Sequence, residues 1–197
     1  MRRLVALIAA LAVAGCGSSH AGSAGDPSSS LSGQLPPGLE GHPAPRMNLV
    51  DARGGRLDTA TLQGKPYLVT FLYTRCRDVC PLIGDEVRQA LRDLGPAARR
   101  VAVVGVSVDP AGDRAGSVRH WLALHREPAN FHYLIGTRAQ LEPVWRAWFT
   151  QPQSASSEST HTAAIWFVDA RNRLVSDVPA GAPIRSAAIA RSLRNLL

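Results

Sequence analysis

From residue 43 to residue 197 the hydrophobic pattern switches repeatedly between runs that suit strands and spacings that suit helices. Residues 47–51 and 56–58 flank Ala52-Arg53-Gly54-Gly55, a hairpin signal. After a short turn over 59–64, residues 66–73 form an apolar run rich in Tyr, Val, Thr and Phe, expected to be a buried strand. Over 81–94 the spacing turns helical through Leu82, Ile83, Val87, Ala90, Leu91 and Leu94, and Gly95-Pro96 stops it. Residues 101–108 are the most continuous apolar run, which fits a central parallel strand covered on both faces. An amphipathic helix follows over 114–126, with Val118, Trp121, Leu122 and His125 along one face. A strand over 131–135 and a helix over 137–149, with Leu141, Val144, Trp145 and Trp148 inward, come next. After a Ser-rich polar loop over 151–160, a strand over 161–169 turns at Arg171-Asn172 into a partner over 174–178, and a helix over 183–196 closes the chain.

Strands that alternate with helices imply an α/β domain whose mainly parallel sheet is covered on both faces, with an antiparallel hairpin at an edge. This is a thioredoxin-like plan with an added N-terminal hairpin, and in such sheets sites lie at the strand ends. One strand end stands out. Residues 66–73 run straight into Cys76-x-x-x-Cys80-Pro81, which puts two thiols on a strand-to-helix turn. Pro81 suits the first helical position, which makes Cys80 the expected N-cap and puts its sulfur where the helix dipole favours a thiolate.

The chain before the domain changes the cysteine count. Met1-Arg2-Arg3 is a charged start, and residues 4–14 are apolar but too short for the ~20 residues of a spanning helix. The stretch Val13-Ala14-Gly15-Cys16 resembles a bacterial lipoprotein signal. The resemblance implies removal of residues 1–15, acylation of Cys16 and a mature chain held at the extracytoplasmic face of the membrane. Residues 16–42, rich in Ser, Gly, Ala and Pro, then read as a lipidated flexible linker, and about 25 such residues span roughly 25–30 Å. The domain proper is expected over 43–197. With Cys16 assigned to lipid, Cys76 and Cys80 are left as a pair, and in an oxidising compartment such a pair is a disulfide, a metal site or each in turn.

Charge adds little. The net +7 falls to +5 without the leader's Arg2 and Arg3, Lys65 is the one lysine, and no dense basic stripe appears, which argues against nucleic-acid binding. More telling is what the strand ends bring together. Asp109 follows the 101–108 run, and His161 opens the last buried strand after the polar loop. Two soft thiolates and one imidazole suit Cu(I) in a trigonal site, whereas zinc wants a fourth ligand or a water and iron–sulfur clusters want four thiolates.

These motifs resemble the Sco (SenC/PrrC) family of copper-handling proteins of cytochrome oxidase assembly. The core of the likeness is Phe71-Leu72-Tyr73-Thr74-Arg75-Cys76-Arg77-Asp78-Val79-Cys80-Pro81, supported by Leu62-x-Gly64-Lys65, Val106-Ser107-Val108-Asp109-Pro110 and His161-Thr162. The resemblance implies that Cys76, Cys80 and His161 bind Cu(I) or Cu(II), that Asp109 supports the site or a partner contact, and that copper goes to the binuclear copper site of a haem-copper oxidase after receipt from a donor protein. Two departures stand out. Arg77 replaces the usual proline between the cysteines, loosening the loop and adding a positive charge that favours thiolates. Ala115-Gly116 stand where Thr-Pro is common. A function of another class uses the same pair: a thiol–disulfide oxidoreductase in which Cys76 attacks and Cys80 resolves, acting on the oxidase's copper-site cysteines or other exported thiols. That chemistry does not need His161, so this residue separates the two. A peroxide-reducing enzyme would need one cysteine poised alone beside an Arg. His42, His120, His125 and His132 are read as structural or surface residues.

Overall fold

A computed structural model describes residues 38–152 and 163–197. The leader, Cys16, most of the linker and His161 lie outside these residues. The described chain forms seven strands and four helices: β1 (Asn48–Asp51), β2 (Arg56–Asp58), β3 (Tyr67–Leu72), α1 (Val79–Leu94), β4 (Ala102–Ser107), α2 (Ala115–Leu124), β5 (Phe131–Ile135), α3 (Arg138–Ala147), β6 (Ile165–Val168), β7 (Leu174–Val178) and α4 (Ser186–Asn195). Short 3-10 turns at Thr59–Leu62 and Gly95–Arg100 fill two of the connections.

One sheet runs β2-β1-β5-β4-β3-β6-β7. Its centre, β5-β4-β3, is parallel, as expected from strands separated by helices. The β1–β2 hairpin extends one edge antiparallel to β5, and the β6–β7 hairpin extends the other antiparallel to β3. The sheet is therefore mixed, with a parallel core of three strands between two antiparallel hairpins. This is the thioredoxin-like α/β plan.

Every residue of β3 and β4 is buried, because both sheet faces are covered. Successive side chains alternate faces. Leu68 and Leu72 of β3 join Ile83, Val87 and Leu91 of α1, Val118 and Trp121 of α2 and Ile189 and Leu193 of α4. Tyr67, Val69 and Phe71 point the other way, onto Leu141, Val144 and Trp145 of α3. Ahead of β1, Gly41 donates its N–H to Leu174 O (2.8 Å) and Ala44 to Asn172 O (2.8 Å), so the chain enters the domain along β7.

The register fixes the site. Leu72 pairs with Ser107, which brings the exits of β3 and β4 side by side and sets residues 73–80 against residues 108–114. Trp145 of α3 donates its indole N–H to Ser107 O at 2.9 Å and pins the β4 exit from the opposite face.

Candidate metal centre

At the β3 exit the chain turns where Cys76 N–H donates to Tyr73 O at 3.2 Å. Cys80 is wholly buried, whereas Cys76 keeps 7% of its surface exposed, so Cys76 is the more accessible thiol. The Cys76 sulfur is seated on the backbone of its partner: Cys80 N–H donates to Cys76 Sγ at 3.3 Å.

This geometry corrects the expected cap. Asp78 is the N-cap and makes no side-chain cap bond; α1 begins at Val79, with Cys80 second and Pro81 third. A proline is tolerated anywhere in a first turn, whose amides have no intrahelical partner, so Pro81 does not mark the first residue. The acceptor for a first-turn amide is the sulfur of Cys76, not a group at position 80. The positive end of α1 thus faces Cys76. Cys80 has the opposite environment: burial first, then the hydrogen bond and charge of Cys76, push its thiol well above the ordinary range. Tyr73, beside the pair, is pushed up to about 12 by burial and by the Cys76 sulfur, and stays a neutral phenol at physiological pH.

Two carboxyl groups from the loop after β4 hold the residues ahead of Cys76. Asp109 Oδ2 accepts from Arg75 Nε (2.9 Å) and Nη2 (2.7 Å), and its Oδ1 accepts from Gly112 N–H (3.1 Å). The expectation that Asp109 stands near the cysteines thus takes a definite form: it grips the residue next to Cys76. Gly112 makes room for this pair, because a Cβ there would lie 2.4 Å from Asp109 Oδ2 and 2.6 Å from Arg75 Nε. Asp113, buried, accepts from Thr74 N–H (2.9 Å) and Thr74 Oγ1 (2.7 Å) at one oxygen, and from Ser107 Oγ (2.7 Å) and Tyr133 OH (3.1 Å) at the other. Burial raises the Asp113 carboxyl although these four bonds pull it down.

His161 lies outside the described residues. The first described residues after it run beside β3: Ala163 packs against the core cluster that includes Cys76 and Cys80, and Ala164 O accepts from Thr70 Oγ1 of β3 at 3.1 Å. The other histidines fit their structural reading. His132 Nδ1 lies 2.8 Å from Asp51 Oδ2, and the His125 ring stacks on Trp121 with centroids 4.4 Å apart. Arg77 is exposed beside Cys76. Sequence reasoning gave no role to Thr74, Ser107, Gly112, Asp113 or Tyr133. Asp113 stands in the same short stretch as Asp109, but only the structure shows where its carboxylate points.

The likeness to known proteins spans the described domain. The SCO1/SenC family profile matches residues 40–197. Among solved structures, ScoI of Bradyrhizobium japonicum with copper bound is 27% identical with a TM-score of 0.67, covering 79% of this chain and 100% of that one. Apo Sco1 of Thermus thermophilus is 27% identical with a TM-score of 0.68, covering 81% of this chain and 94% of that one. A curated relative from Stutzerimonas stutzeri, the "Putative copper-binding protein", is 31% identical over 104 residues, 52% of this chain, and the match spans 50% of that relative's own length. With the profile running from the segment that enters along β7 through α4, and with both thiols inside it, the chain belongs to the SCO1/SenC family.

Proposed function

We propose that the protein is a membrane-tethered, extracytoplasmic copper metallochaperone that binds copper through Cys76, Cys80 and His161 and delivers it to the binuclear copper site of a haem-copper oxidase. The observation that carries this reading is the buried thiol pair after β3, with Cys76 Sγ seated on the Cys80 amide, in a chain whose family includes ScoI, solved with copper bound. Copper is cargo here, so the site must both hold and release it. Cys76, the less deeply buried of the two and facing the helix end, is the sulfur that meets incoming copper first. Cys80, buried behind it, needs the cation to lose its proton, which makes copper binding release protons. Among the described residues no group of three or more His, Cys, Asp or Glu side chains gathers. The nitrogen ligand of this reading is His161, the histidine that the family resemblance points to, two residues ahead of Ala163 in the chain. A two-sulfur, one-nitrogen set is soft enough to favour Cu(I). Acylation at Cys16 would keep the domain within reach of membrane partners.

Anaerobic Cu(I) titration against a competing chromophoric chelator tests the reading. Tight one-to-one binding that Cys76→Ser and His161→Ala each weaken strongly is the expected result. Binding that ignores His161→Ala would sink the three-ligand site.

The Cys80 amide on Cys76 Sγ also favours a second reading, thiol–disulfide exchange. The Cys76 thiolate would attack a partner disulfide and expel one partner thiolate. Cys80 would then close a Cys76–Cys80 disulfide and release the second thiol, reducing the partner by two electrons. Loss of exchange in Cys80→Ser, with full exchange in His161→Ala, would mark this chemistry.

A further inference from the structure

The Asp113 side chain takes four hydrogen bonds near the thiols, yet it is neither a ligand in the proposed set nor a helix cap. Its carboxylate receives them from residues of three strands or their exits: two from Thr74 after β3, one from Ser107 at the end of β4 and one from Tyr133 within β5. All four partners act as donors, which suits a group that only accepts. One of them is the backbone N–H of Thr74, two residues ahead of Cys76. The residue between, Arg75, is held by Asp109 from the same loop. The approach to Cys76 is therefore fixed at two successive positions, and of the two anchors Asp113 is the one rooted in the core.

We propose that Asp113 is a positioning residue for the thiol pair. By holding Thr74 it keeps residues 73–76 in the turn that seats Cys76 Sγ on the Cys80 amide, so both sulfurs are placed before metal arrives. Its meaning for copper rests on the metallochaperone reading above; its hold on the thiol pair does not. Outer residues that orient metal ligands change affinity about 10–100-fold when removed. Asp113 acts in the same way but through the backbone.

The test uses the full chain extracted in mild detergent, with two readouts on Asp113→Ala, Asp113→Asn and Thr74→Val. The first is Cu(I) affinity by chelator competition. Asp113→Ala should lose about 10–100-fold. Asp113→Asn should stay near wild type, because its oxygen still accepts from Thr74 while the Ser107 and Tyr133 hydroxyls rotate to meet its NH2. Thr74→Val keeps the amide bond and drops one of the two, so its loss should be smaller and in the same direction. The second readout needs no metal: the equilibrium of the Cys76/Cys80 pair with dithiothreitol. Freeing the turn that holds the two thiols should move Asp113→Ala about tenfold toward the disulfide, about 30 mV, and leave Asp113→Asn unmoved. Asp113→Ala indistinguishable from wild type in both readouts overturns the proposal. Asp113→Asn as damaged as Asp113→Ala overturns it too, since charge rather than position would then be at work. If wild type binds no copper but Asp113→Ala shifts the dithiol equilibrium, the positioning role stands and the copper reading fails. Should Asp113→Ala not fold, Thr74→Val decides: an unchanged dithiol equilibrium in that folded variant overturns the proposal.

Discussion

At the scale of single residues, the site is organised by small groups that carry no metal chemistry of their own. Gly112 lets Asp109 close on Arg75. The Arg75 side chain is 67% exposed, so the pair adds under about 1 kcal/mol to stability. Gly112→Ala should therefore change the unfolding free energy little, yet free Arg75 and weaken copper binding to the same degree as Arg75→Ala. Denaturant melts beside chelator competition check this, and a large stability loss in Gly112→Ala with a silent Arg75→Ala would contradict it. The two cysteines should also differ in reactivity. With 7% exposure against none, Cys76 should take sub-stoichiometric iodoacetamide first, read by peptide mass spectrometry. First labelling at Cys80 would reverse the assignment. That the two thiols share one strand-to-helix turn was legible in the sequence, because cysteines are rare in this chain and their spacing is informative. Asp113 was not, because an acidic residue in a loop looks the same whether it faces solvent or receives four hydrogen bonds.

Elements were legible where periodicity is strong. β3, β4 and β5 and the helices between them follow from their apolar spacing, and the strand over 131–135 matches β5 from end to end. The start of α1 was misread because Pro81 is equally at home one or two residues further in. A second feature no pattern reveals lies between α1 and α2. Glu127 is buried with both carboxylate oxygens unpartnered, packed against α1 at Gly84, where a Cβ would come within 2.6 Å of its Oε1 and 3.0 Å of the Trp121 ring. Burial pushes its carboxyl up to about 8, with Asp85 adding to the rise and Arg88, Arg53 and Arg92 opposing it. The sign follows directly. The folded state holds this proton more tightly than the unfolded chain, so the contribution is intact below the ordinary 4.5 and is lost as pH rises toward about 8. Glu127→Gln should leave stability at pH 5 nearly unchanged and raise it at pH 9 by about 1–3 kcal/mol, in denaturant melts at both pH values. A gain at pH 5 equal to that at pH 9 would contradict the argument. Gly84→Ala should destabilise the domain although alanine is the better helix former, because the contact with Glu127 and Trp121 outweighs a propensity gain of about 1 kcal/mol.

For the whole molecule, the fold gathers at one end of a parallel three-strand core the parts that sequence scatters over 73–133: thiols after β3, carboxylates after β4 and the Tyr133 hydroxyl from β5. The hairpins at both edges leave this end intact, and β6 adds the approach from Ala163. Tethering is a separate proposal with its own check. Cys16→Ser should move the protein from the membrane fraction to the soluble extracytoplasmic fraction, and persistence in the membrane would rule out the lipid anchor. On the proposed reading, domain and tether together would make a chaperone that carries its copper site to its acceptor. X-ray absorption at the copper edge of the Cu(I)-loaded protein tests that site most directly. The account predicts two sulfur scatterers and one imidazole nitrogen, with the imidazole signal gone in His161→Ala. A spectrum with sulfur alone, unchanged in that variant, would contradict it and leave Cys76 and Cys80 as a redox dithiol.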